Sequence, residues 1–286
     1  MRRTTNCSSG EYIKRRHLAP TMALDLPQYQ VQILIALGTL GVYVGWRGGM
    51  QNMAGFYDMP NATKHLAFGI VLGAFSGILI DMLFISIVVL EGAVGFEILG
   101  LMIFVGLAQS LLFHFILSRE KVRLLLASST SGWTMGLGMG ALQASYLMIR
   151  MADPNWIGFV SGFNWKMIVT GVWITFTLPA IEAALGSWQG AAVVDKKPLT
   201  VMWQSGLYRG FVLIAVLVGI TAQPILLLVL PVVAIYGFSI AEEKWLPSAL
   251  IPSIRQEYHR TVRKSPERAR LKAQRQRGDL VNDSEE

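Results

Sequence analysis

Charge is scarce in this sequence. Only 15% of its 286 residues are Asp, Glu, Lys or Arg, where a soluble domain carries about 25%. Cysteine is nearly missing: Cys7 stands alone, which excludes an intrachain disulfide and a cysteine-built structural zinc site. Four histidines, His17, His65, His114 and His259, are a thin supply for a metal centre made of His and Cys alone. No Gly-rich phosphate loop, HExxH, paired-Asp prenyl-transfer motif or Gly-x-Ser with a downstream span histidine occurs, so the signatures of those chemistries are absent. Period-two alternation over about ten residues, the mark of a membrane β-strand, is also absent.

What fills the space is apolar. Hydrophobic residues make up 53% of the chain and the mean hydropathy is +0.47. They fall in long blocks parted by short polar gaps, the pattern of an all-α polytopic membrane protein. Seven blocks predict spans at 31–46, 66–90, 93–118, 127–149, 166–191, 199–222 and 225–240. Only "TAQP" divides the last two. Pro224 suits a helix start, and Pro231 should kink the helix it falls in. One long broken helix there would give six spans instead.

Basic residues set the orientation. Arg47, Lys64, Arg119, Lys121, Arg123, Lys196, Lys197 and a run from Lys244 to Arg277 fall on one side; the other holds Arg150 and Lys166. The first side is expected to be cytoplasmic, with the C-terminus inside, the N-terminus outside and the cell membrane as location. Arg2, Arg3, Lys14, Arg15 and Arg16 break the pattern, which Met22 as the working start would explain. The expected organisation is a flexible extension over 1–28, a membrane domain over 29–241 and a basic tail over 242–286. The net charge of +7 sits mostly in the two tails. It reads as topology and as attraction to anionic lipid headgroups at the basic tail, with no nucleic acid expected as partner. The sequon at Asn61 falls on the cytoplasmic side and is discounted.

Small residues recur at spacing four: Gly69, Gly73 and Gly77; Gly132, Gly136 and Gly140; Gly186 and Gly190. Such faces let backbones approach in lipid, which predicts close packing among spans two, four and five. The polar residues at membrane depth are few: Asp81, Gln109, His114, Gln143, Glu182 and Arg209. Each is expected to face the bundle interior and find a partner, with Gln109, His114, Gln143, Glu182 and Arg209 forming one inner polar cluster that organises the bundle or receives a partner helix. Glu182 and Arg209 each lie about 15 Å from the cytoplasmic end of their spans, at 1.5 Å per residue, so an ion pair between them is expected. Asp81 has no evident basic partner at its level. Glu91 and Glu97 flank the outer turn and should be wet, and "EEKWLPS" reads as a solvated helix end.

The order of these polar positions resembles the PrsW-type intramembrane metalloproteases and the anterior-pharynx-defective subunit of γ-secretase, over roughly residues 100–215. "GLAQSLLFHF" has the family's Gly, acidic pair and aromatic run, with Gln109 and Ser110 in place of the pair. "GLGMGALQASYLMI" puts Gln143 where a Glu is expected. "EAALGSWQG" keeps Gly186 and Gly190 but has Glu182 in place of a histidine. "SGLYRGF" offers Tyr208 and Arg209 where another histidine would stand. The resemblance implies a protease-like bundle without the residues that hold zinc, hence no catalytic residue and no cofactor, and a scaffold for a partner transmembrane helix. Two alternatives stay open: an intramembrane hydrolase using zinc with His114 and Glu182, and a proton- or cation-coupled transporter using Asp81 and Glu182.

Overall fold

The computed structural model describes residues 26–51, 53–87, 95–124, 127–154, 156, 158–195, 197–248, 250–251, 253–260 and 262. Among them the regular structure is entirely helical. The N-terminal extension, the proposed start at Met22, Glu91, and the tail beyond residue 262 lie outside the described residues.

Among the described residues the bundle is built from seven main helices: α1 (Gln28–Gln51), α2 (Met59–Ile80), α3 (Phe96–Leu117), α4 (Ser128–Ala152), α5 (Trp165–Val194), α6 (Pro198–Thr221) and α7 (Val229–Ile240). Six of them, counting the turns that extend α2 and α7, are long and apolar enough to cross a membrane. The exception is α4. Its Ser, Thr, Gly and Gln content keeps it less apolar than the rest, yet nearly all of its residues are buried. The reason is its position. It packs against α1, α2 and α5, so its surface meets other helices and needs no lipid-soluble coat.

Glycine sets how close those helices come. A Cβ at Gly132 would stand 2.1 Å from the Gly186 carbonyl oxygen, and one at Gly190 would stand 2.1 Å from that of Ser128. Gly136 and Gly140 meet the backbone of Glu182 and Pro179 in the same way, so the α4–α5 seam is backbone against backbone. Gly69 and Gly73 press on the carbonyls of Met135 and Met139 in α4, and Gly77 lies under the Tyr146 ring. A second pair forms apart from this group: Gly106 of α3 abuts Gly206 and Gly210 of α6. Close approach maximises dispersion contact, which drives helix association in lipid.

Two prolines inside helices are handled locally. Pro231 has no N–H for the Leu227 carbonyl four residues back, and the Trp173 indole N–H donates to that oxygen at 2.8 Å. The chain before it runs as a 3₁₀ turn, Pro224–Leu228, and the rod continues to Ser248. Pro179 frees the Thr175 carbonyl similarly, and Gly41 of α1 closes on that oxygen. At the end of the bundle where basic residues cluster, a short helical segment over residues 253–260 folds back. Tyr258 is buried there against Phe56, their ring centroids 5.9 Å apart, and Arg255 donates to the carbonyls of Pro247, Ser248 and Leu250. The start of the expected tail is therefore docked on the bundle.

Candidate functional site

Among the described residues, the polar side chains expected at membrane depth, His114 apart, fall into three separate groups. The first joins α3, α5 and α6. Arg209 Nε donates to Glu182 Oε2 at 2.8 Å, with both side chains fully buried. Arg209 Nη1 donates to Gln189 Oε1 at 2.7 Å. Gln189 Nε2 passes the connection on, donating to the Ser110 carbonyl at 3.0 Å and to its hydroxyl at 2.6 Å. Ser110 Oγ lies 2.8 Å from Ser205 Oγ and 2.6 Å from the Met202 carbonyl. The guanidinium carbon of Arg209 stands 4.2 Å from the centroid of the Phe113 ring, a cation–π contact that a desolvated site strengthens. Glu182 and Gln189 share one face of α5, seven residues or about two turns apart, so a single helix face holds Arg209 from both sides.

The second group joins α2, α3 and α4. Ser76 Oγ accepts from Gln109 Nε2 at 2.5 Å and from Gln143 Nε2 at 2.7 Å. Gln109 and Ser110 are neighbours in sequence, and successive helical residues point about 100° apart. One therefore serves this group and the other the first.

The third group lies where α2 ends. A π-helical turn, Asp81–Ile85, follows α2. Asp81 pairs with Arg150, and the Arg150 guanidinium carbon is 5.8 Å from the Tyr146 ring centroid. The expectation that Asp81 lacks a basic partner is thus corrected. Span four was expected to stop at residue 149 with Arg150 in the outer loop, but α4 runs on to Ala152. Arg150 consequently belongs to the last turn of α4 and reaches Asp81, with its side chain only slightly exposed.

The five residues expected to form one polar cluster do not converge. Glu182 and Arg209 pair, Gln109 and Gln143 meet elsewhere at Ser76, and His114 joins neither group. His114 is half-buried, with Nδ1 3.3 Å from Ser118 Oγ one turn further along α3. The side chain that faces Arg209 is the preceding one, Phe113. Among the described residues no group of three or more His, Cys, Asp or Glu is placed to hold a metal, and the Glu182 carboxylate is engaged with Arg209, so a zinc site on His114 and Glu182 does not fit this arrangement. Glu97 is exposed as expected. Asn61, the sequon residue, donates to Ser131 Oγ at 2.9 Å across the α2–α4 seam.

Sequence reasoning passed over Ser76, Gln189, Ser205 and Arg150. Ser76 carried a signal: it adjoins Gly77 on the small-residue face of α2, where a hydroxyl reaches a neighbouring helix. Gln189 stands seven residues after Glu182 on the same helix face. Together the six apolar helices and the interior polar ties define a multi-pass helical membrane protein. The chain matches no family model, no curated protein and no solved structure.

Proposed function

We propose that this chain is a seven-span membrane protein, N-terminus outside and C-terminus cytoplasmic, that serves as a non-catalytic scaffold or substrate-binding protein for a partner transmembrane helix. In this reading it is a protease-like bundle in which structural contacts replace chemistry. The observation that carries it is the employment of the residues at the resemblance's catalytic positions. Gln109 and Gln143 both bond Ser76, Ser110 bonds Gln189 and Ser205, and Glu182 bonds Arg209. A neutral amide is a poor metal ligand and no general base, and each of these side chains ties two helices. Seven spans follow if α4, 25 residues long, crosses with the other six; its length at 1.5 Å per residue exceeds a hydrocarbon core of about 30 Å. The basic residues at one end support the orientation, and the aromatic side chains Phe159, Phe163 and Trp165, exposed at the other end, suit a membrane interface.

The reading is tested by photo-crosslinking in the native membrane. A photoreactive residue replaces the lipid-facing Leu112 or Phe115 of α3, or Tyr236 of α7, all exposed on the bundle. A discrete adduct with one membrane protein from one of these faces, retained in H114A, supports the reading. Cleavage of a transmembrane reporter by the purified protein, lost in H114A, would overturn it.

A further inference from the structure

Helices α2 and α3 stand side by side but touch little, because α2 packs mainly on α4 and α3 mainly on α6. A furrow runs between them, with Met135 and Met139 of α4 at its floor. On α2, Phe68, Leu72, Phe75 and Leu79 follow at spacings of four and three, which puts them on one helix face. The deep end of the furrow is a narrow crevice where Leu72, Phe75 and Leu79 face Ala108 and Leu112 of α3. Phe75 and Leu112 are exposed on the bundle, so the crevice opens to the bilayer. Its accessible lining is apolar, which offers a hydrocarbon chain dispersion contact and gives a polar ligand nothing to bond.

Two cations stand at the other end of the furrow, where the basic residues of the bundle cluster. Lys64 continues the α2 face one turn before Phe68, its ammonium 5.8 Å from that ring's centroid. Arg119 follows just after α3, its guanidinium carbon 5.8 Å from the Phe115 centroid. The two lie at one level. The Gln109–Ser76 hydrogen bond fixes the register of α3 against α2. From that bond Lys64 is twelve residues away and Arg119 ten, about 18 and 15 Å at 1.5 Å per residue. The buried His65 ring is within electrostatic reach of both. Both cations are exposed, and among the described residues neither joins an ion pair; Glu120, next to Arg119, is exposed and pairs with neither. Unneutralised positive charge at the mouth of an apolar furrow complements a molecule with a phosphate at one end and a hydrocarbon chain at the other.

We propose that the α2–α3 furrow binds one anionic phospholipid from the leaflet at the basic end of the bundle. Lys64 and Arg119 hold its phosphate, Arg119 through its planar fork of N–H donors and Lys64 as a point charge. One acyl chain runs along the furrow past Phe68 and ends in the crevice beside Phe75 and Leu112. The crevice lies about 18 Å from Lys64, a little over half of a hydrocarbon core of about 30 Å, which is the depth at which the chains of one leaflet end. Basic residues between membrane helices suit lipid headgroups. This site differs from diffuse attraction of a basic tail to the membrane surface, because headgroup and chain are gripped together.

The purified full chain in phosphatidylcholine vesicles tests the site. No partner protein is present, so the outcome is separate from that of the partner-helix reading. The probe is phosphatidylglycerol with a photoreactive diazirine near the end of one acyl chain. Phosphatidylcholine with the same diazirine measures ordinary contact with bulk lipid. The expected result is several-fold stronger labelling around Phe75 and Leu112 by the phosphatidylglycerol probe, with that preference lost in K64Q/R119Q. It should persist in K121Q/R123Q, which removes equal charge from the turn after α3. All four substituted side chains are exposed, so neither variant disturbs the packing. Equal labelling by the two probes in the wild type, a preference retained in K64Q/R119Q, or one lost equally in K121Q/R123Q would overturn the proposal.

Discussion

Replacing Glu182 with Leu strands the Arg209 guanidinium in the bundle without its counter-charge. Both partners are fully buried and their bond is 2.8 Å long, so solvent screening does not soften the change. Removing one member of a buried pair costs about 3–5 kcal/mol, because the remaining charge stays desolvated. Arg209 keeps Gln189 and the Phe113 ring, which argues for the lower end, about 3 kcal/mol. Arg209→Met should cost a similar amount, since it strands the carboxylate. The double variant E182L/R209M removes both charges and leaves only Gln189 Oε1 without a donor, a loss of about 1–3 kcal/mol. It should therefore be no less stable than either single variant. The coupling energy should exceed about 1.7 kcal/mol, the upper value for hydrogen bonds between membrane helices, because this contact joins formal charges. Reversible unfolding in mixed micelles with increasing dodecyl sulfate, followed by Trp fluorescence, measures all three. Additive single costs, with coupling near zero, would refute the reasoning.

Three further outcomes follow from other parts of the bundle. Gly132→Ala should destabilise by at least about 1–3 kcal/mol, the cost of overpacking, because its Cβ would meet a backbone oxygen at 2.1 Å, whereas Gly100→Ala, with nothing within 4 Å, should be neutral or slightly stabilising; the same unfolding assay compares them. Arg150→Ala should destabilise by about 3 kcal/mol by stranding Asp81, and Asp81→Asn in that background should recover most of the loss. Burial and the nearby Glu242 carboxylate push the Tyr258 phenol up to about 12, above the ordinary value of about 10. The folded state thus holds the neutral form, so its contribution is intact below pH 10 and is lost as pH rises from 10 toward 12. The stability difference between wild type and Y258F should narrow over that window.

Much of the architecture was legible because apolar blocks and the bilayer thickness constrain each other. Glu182 and Arg209 could be set at one level by counting residues from the ends of adjacent antiparallel spans, since 1.5 Å per residue is a dependable ruler. The same ruler failed for Asp81. Its partner comes from a helix end, where a boundary error of three residues turns a loop arginine into a helical one within reach of Asp81. Depth alone also suggested that Gln109, His114, Gln143, Glu182 and Arg209 meet, but azimuth decides meeting. On α3 a single residue step rotates a side chain by about 100°, which sends Gln109, Ser110 and His114 to three different surroundings. Ser76 was hard to see for a different reason. A lone serine among glycines reads as a packing residue, and its role as a shared acceptor depends on two other helices. Helix α4 shows the limit of hydropathy: a helix shielded by its neighbours is free to be polar, so the most enclosed helix of the bundle gives the weakest membrane signal.

The central claim is that the interior polar residues tie helices together and hold no catalytic metal. The most direct test is the zinc content of the purified, zinc-supplemented protein, with His114→Ala and Glu182→Gln measured beside it. The account predicts far less than one zinc per chain, with no difference among the three proteins. One zinc per chain in the wild type, lost in both variants, would contradict it.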